Sequence, residues 1–174
     1  TCPGLRHRQC WNPQAELRTS RERGAGLGQF TIAYRADGSV RFDKLTELSG
    51  QYASLRGWSW KNWADPHYQL TAIVEMNRDI FRRVAGAASE RDRLAFMLSA
   101  YNGGEGGVRQ DRLLCSNTRG CNQSLWFGNV ELYSLKTRKA NPGYGASAYK
   151  INRDYVHNVL ELRRQKYEPF FHQQ

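Results

Sequence analysis

The stretch 89–104, "SERDRLAFMLSAYNGG", constrains this chain more than any other. Leu94, Phe96, Met97, Leu98 and Ala100 make a helix there apolar almost all round, and such a helix must be buried on every side. Ser89 offers an N-cap, and Gly103-Gly104 a stop. Upstream, residues 65–84, "DPHYQLTAIVEMNRDIFRRV", place Leu70, Ile73, Val74, Asn77, Ile80, Phe81 and Val84 on one face at helical spacing. Asp65 caps that helix and Pro66 takes its first position. A third helix fits residues 148–167, where Ile151, Tyr155, Val159 and Leu162 share a face and basic residues crowd the last turn.

Residues 38–64 hold a shorter apolar pattern (Phe42, Leu45, Leu48, Tyr52, Leu55) that predicts another helix. Glycines, asparagines and two cysteines across residues 105–145 predict a long irregular excursion. Strand signals are weak throughout. The expected fold is therefore mainly α, an α-helical domain with long loops and little or no sheet. At 174 residues, with no repeat or linker, the chain reads as a single domain over 1–174. No apolar run approaches the roughly 18 residues of a membrane span.

Twenty-six basic against 16 acidic residues leave a net charge of +10, which draws in polyanions. Nucleic acid and anionic bacterial envelope polymers both fit that field. Arginines spread along the whole chain, with no recognised motif, argue against nucleic acid. The cysteines fall as two short-range pairs, Cys2/Cys10 and Cys115/Cys121, and His7, His67, His157 and His172 are scattered. Zinc ligands come at closer spacing, so no metal site is expected and two local disulfides are favoured, with free thiols as the alternative. Disulfides imply an oxidising compartment.

In "SRERGAGLGQ", residues 20–29, glycines at this density mean a close approach of the backbone to something. A phosphate loop needs a lysine followed by Ser or Thr, and a dinucleotide fingerprint needs G-x-G-x-x-G; the stretch has neither, and no cofactor is expected. Tyr101 and Asn102 sit where the buried helix leaves the core, and Tyr155 lies on the apolar face of the last helix. Taken alone, these read as a helix end and a core tyrosine. Trp58, Trp60, Trp63 and Trp126 fit either a core or platforms for sugar rings.

The order of the pieces says more. "NPQA" is followed by "GLGQ", then by a helix opening with Asp65-Pro66, then by "AYNGG" and "YVHNVL". This succession over residues 12–160 resembles the soluble-lytic-transglycosylase-like family of peptidoglycan-cleaving enzymes, and the cysteine pairs and "TSRE" run are most similar to phage-type members. Asn12, Pro13 and Ala15 match the tail of its first motif. Gly26, Leu27 and Gln29 match the second, with Gly28 in place of methionine. Ala100, Tyr101, Asn102 and Gly104 match the third, with Gly103 for alanine, and Tyr155, Val156, Val159 and Leu160 match the fourth.

The resemblance implies a lysozyme-like fold and cleavage of the MurNAc-β-1,4-GlcNAc bond by a single glutamate, giving 1,6-anhydro ends without a second carboxylate. It puts that glutamate immediately before Thr1, with residues 2–10 as a disulfide-closed insertion, so the domain is expected to lack its N-terminal helix. It further implies that Tyr101, Asn102 and Tyr155 line the acid's pocket, and that Gly26, Leu27 and Gln29 border the glycan. The implied partner is peptidoglycan, met by a monomer in the periplasm, cell wall or outside, as in phage endolysins. Glu22 keeps three readings: an arginine's partner, a cleft residue, or a carboxylate that holds water for an inverting hydrolysis. A non-catalytic wall-binding module is a further alternative.

Overall fold

The computed structural model describes residues 12–140 and 145–168, and the chain divides into two units, Thr1–Met76 and Asn77–Gln174. The first unit is built on a sheet. Strands β1 (Glu16–Arg18), β2 (Glu22–Ala25), β3 (Phe30–Tyr34) and β4 (Val40–Asp43) pair antiparallel in chain order. This corrects the expectation of a mainly α domain with little or no sheet, for the described residues form a mixed arrangement of helices and a four-stranded antiparallel sheet. The strands run only three to five residues, and "ELR" and "ERGA" are poor strand formers with no clear alternation. One signal does stand in "FTIAYRADGSV", where an aromatic and β-branched run leads into the hairpin dipeptide Asp37-Gly38. Gly38 takes φ 81°, and Asp37 Oδ1 accepts from the Ser39 backbone N–H and hydroxyl.

Helix α1 (Lys44–Gln51) starts immediately after β4 because Asp43 caps it, accepting from the Thr46 backbone N–H and hydroxyl. Phe42 therefore belongs to a strand rather than to the predicted helix. A 3₁₀ turn, Ala53–Leu55, follows. Phe30, Leu45, Leu48, Leu55, Trp58 and Ala72 form the core of this unit, and the Phe30 ring meets Trp58 edge-on at 4.8 Å. Each leucine buried to this degree contributes about 2 kcal/mol.

Helix α2 (Pro66–Arg83) begins as predicted, with Asp65 Oδ1 accepting from the His67 backbone N–H, and runs from the first unit into the second. Its buried positions match the expected face only in part, with Ile80 buried as predicted. Gln69 and Ala72 are fully covered, whereas Val74 is 61% exposed.

In the second unit, α3 (Glu90–Gly103) is the buried helix the sequence demands, with Ala95, Phe96, Met97, Leu98, Ser99 and Ala100 all enclosed. Ser89 caps it by accepting from the Asp92 backbone N–H at 3.1 Å. Helix α4 (Glu105–Ser116) occupies the start of the stretch expected to be irregular. Val108, Asp111 and Cys115 form its buried face, and the aspartate in the middle of that face hides the apolar period. Cys115 and Cys121 form a disulfide across a Cα–Cα distance of 5.3 Å. The expected Cys2–Cys10 pair lies outside the described residues. A 3₁₀ turn, Val130–Leu132, precedes α5 (Ala148–His157), which passes through a π-helical segment, Asn158–Arg163, into α6 (Arg164–Tyr167). Asn152 and Val156 line the buried face of α5, and Leu162, predicted to share such a face, lies within the π segment and is 62% exposed. Wider turns of that kind rotate the following side chains about the axis.

Candidate functional site

Two groups of the residues singled out above can be built up, one in each unit. In the first unit, Gly26, Leu27, Gly28 and Gln29 make the turn joining β2 to β3. Gln69 explains the turn. Its side chain is fully buried, accepts from the Leu27 backbone N–H at 2.8 Å, and donates to the carbonyls of Pro13 and Trp63 at 2.8 Å each. A Cβ on Gly26 would stand 2.3 Å from the Gln69 amide nitrogen, and Gly26 also holds φ 73°. The close approach signalled by the glycines is thus to a glutamine of α2.

Gln29 is exposed and, among the described residues, is the non-glycine residue at positive φ, 50°. Its Nε2 donates to the Gly26 carbonyl at 2.8 Å, and its Oε1 lies 2.9 Å from where a Gly24 Cβ would stand. The side chain folds back over its own turn. Glu22 faces Ala33 across the sheet and pairs with Arg41 of β4 at 3.3 Å. Arg23 instead bonds Glu16, and its guanidinium covers the rings of Trp60 and Trp63 at 4.7 and 5.2 Å. Trp60 donates to Asp43 at 2.8 Å, which ties the aromatic pair to the cap of α1.

In the second unit, Tyr101 of α3 and Tyr155 of α5 come together as stacked rings, 6.1 Å between centroids and 14° between planes. Burial pushes the Tyr101 hydroxyl well above the usual phenol range, with a smaller push from Tyr155. Burial also raises Tyr155, partly offset by Arg163. Both phenols stay neutral at physiological pH, able to donate hydrogen bonds but not to act as bases. Asn102, exposed at the end of α3, accepts from Asn152 Nδ2 at 3.2 Å.

Asn152 itself is buried, accepting from the Ser99 hydroxyl at 2.8 Å and donating to the Ser99 carbonyl at 2.9 Å. Gly103 makes room for it, since a Cβ there would stand 2.7 Å from Asn152 Nδ2. Behind it, Asp111 is 1% exposed, accepts from Ser134 at 2.7 Å and Lys136 at 3.3 Å, and forms an ion pair with Arg153 at 2.9 Å. Arg153 also donates to the carbonyls of Val130, Glu131 and Tyr133 and to Asn152 Oδ1.

Sequence reasoning missed Gln69, Asn152 and Asp111. The available signal was a polar residue standing at a core position of a helical period, where burial is tolerated only with every hydrogen bond made. Among the described residues, no group of three His, Cys, Asp or Glu side chains is placed to hold a metal ion. Nor is any helix among them long and apolar enough to cross a membrane. Compared with protein families, curated proteins and solved structures, the chain matches none of them.

Proposed function

We propose that the chain is the glycan-cleaving part of a peptidoglycan lytic transglycosylase. The observation that carries this reading is the succession of four short motifs, Asn12-Pro13, Gly26-Leu27-Gly28-Gln29, Ala100-Tyr101-Asn102 and Tyr155-Val156, in the order of that family. The stack of Tyr101 on Tyr155 supports it, because it joins residues of the third and fourth motifs through their aromatic faces. The hydrogen bond from Asn152 supports it too, by orienting the exposed Asn102 amide. The net charge of +10 suits an anionic envelope, and the Cys115–Cys121 disulfide suits an oxidising one.

In this reading a carboxylic acid protonates the glycosidic oxygen as the C1–O bond breaks, leaving an oxocarbenium-like sugar. The resulting carboxylate then takes the proton of the C6 hydroxyl, whose oxygen closes on C1 and gives the 1,6-anhydro end. The resemblance assigns that acid to the glutamate of the family's first motif. Glu22 supplies a second reading, since a carboxylate on β2 that positioned water would give reducing ends by inverting hydrolysis. The setting is the wall of a host bacterium, reached from the periplasm or from outside, with a phage-encoded lysin as one form.

The test is digestion of purified sacculi by the whole natural gene product, with products read by mass spectrometry. Anhydro ends, retained in Glu22→Gln, are expected. Reducing ends that vanish in Glu22→Gln would move the assignment to the hydrolytic reading. Binding to sacculi without any glycan cleavage would overturn both and leave a wall-binding module.

A further inference from the structure

Away from the tyrosine stack, the second unit holds an open pocket of ≈ 100 Å³ where the end of α2 meets α3 and α4. That volume is roughly three waters' worth. Its walls combine Val84 and Val108 with three arginines, Arg83, Arg109 and Arg112, against one carboxylate, Glu105. Glu105, Arg109 and Arg112 follow one another at helical spacing on α4, so their side chains share a face.

The charges are unevenly matched. Arg83 is engaged by Glu105 through two hydrogen bonds, at 2.7 and 3.1 Å, and that pairing holds the Glu105 carboxyl below its usual range. Arg112 donates instead to three uncharged groups, the carbonyls of Ala85, Gly86 and Gln123, at 2.8 to 3.0 Å. Its ring-ward face lies over Phe96 at 4.8 Å. Burial pushes its pKa down, the mark of a cation removed from water with no anion beside it. Arg109 is exposed at the rim, with no hydrogen-bond partner among the described residues. Glu105 also lies in the field of Arg109, so one carboxylate stands against three guanidinium charges, and two positive charges are in excess.

We propose that this pocket binds a small carboxylate carried on a short aliphatic group, with Arg109 and Arg112 facing the anion and Val84 and Val108 facing the alkyl part. Guanidinium forks suit carboxylate and phosphate alike. The apolar wall decides between them, because a bare phosphate would leave oxygens against valine side chains without donors, whereas a methyl or ethyl group fills that wall. Such a carboxylate comes either from the end of a peptide or from a free organic acid. This proposal does not rest on the glycan-cleaving reading and stands or falls separately.

The test is titration of the full chain, followed by NMR of the valine methyl groups, with N-acetyl-D-alanine, N-acetyl-L-alanine, propionate, the methyl ester of N-acetyl-D-alanine and inorganic phosphate. Saturable shifts at Val84 and Val108 with an acid, and none with the ester, are expected. Tighter binding of an acetylated alanine assigns the site to peptide ends, and tighter binding of propionate to free acids. Arg109→Gln, at an exposed position that leaves the core intact, is expected to weaken the acid about tenfold. Glu105→Gln, which removes the competing carboxylate, is expected to tighten it. Equal binding of acid and ester, tighter binding of phosphate, unchanged affinity in Arg109→Gln, or no saturable shift would each overturn the proposal.

Discussion

Gln69 and Gly26 depend on each other. The buried amide satisfies the Leu27 N–H and two carbonyls, and it reaches them only because Gly26 carries no side chain. Gly26→Ala forces either that amide out of place or the turn open, and strains φ 73° as well. Urea unfolding is expected to show a loss of about 3 kcal/mol. Gly38→Ala, at φ 81° with open space around the missing Cβ, isolates the backbone strain and is expected to lose about 1 kcal/mol. In a Gln69→Ala background, Gly26→Ala should fall to that smaller figure; an undiminished loss would show that the amide is not what the glycine accommodates. The sequence signalled that backbone comes close to something at this turn. The partner lies 42 residues away in a helix, at a position where the apolar period predicts nothing, so local reading could not name it.

At the level of elements, caps and core chemistry divide the work. Helices α2 and α3 start where Asp65 and Ser89 stand, because an N-cap acts within three residues and is legible from local order. The sheet was not legible in the same way, since three- to five-residue strands rely on pairing partners rather than on their own preference. Helix α4 shows a related limit. Asp111 interrupts its apolar face, yet that carboxylate fastens α4 to Lys136 and to Arg153 of α5. Asp111→Asn would leave two cations, 15% and 11% exposed, around a neutral amide. A loss of about 3–5 kcal/mol in thermal or urea unfolding is expected, and a loss below about 1 kcal/mol would mean that water already screens the cluster. Neither the glycines of "NGGEGGV" nor the lysine announced this arrangement, although Gly103 and Gly107 both make room for Lys136.

For the whole molecule, the tyrosines offer a test in alkaline solution. The chain has nine, and burial raises the pKa of Tyr101 and Tyr155. A phenol raised on folding leaves stability intact below its unfolded pKa of about 10 and removes it as pH climbs beyond, because only the unfolded chain ionises freely. Phenolate absorbance should therefore rise in two steps, with these two residues titrating as the chain unfolds. In Tyr101→Phe the fall of stability with pH above about 10 should be shallower; an unchanged slope would mean that the hydroxyl ionises in place. By itself, the sequence determined the buried character of α3, the start of α2 and the pairing of Cys115 with Cys121, all set by residues within a few turns of one another. Only the tertiary structure decided the four-stranded sheet, the Gln69 staple, the partners of Asp111 and the stack of Tyr101 on Tyr155. These depend on contacts between distant segments, where burying a polar group or pairing a short strand is favourable only once its partner is in place.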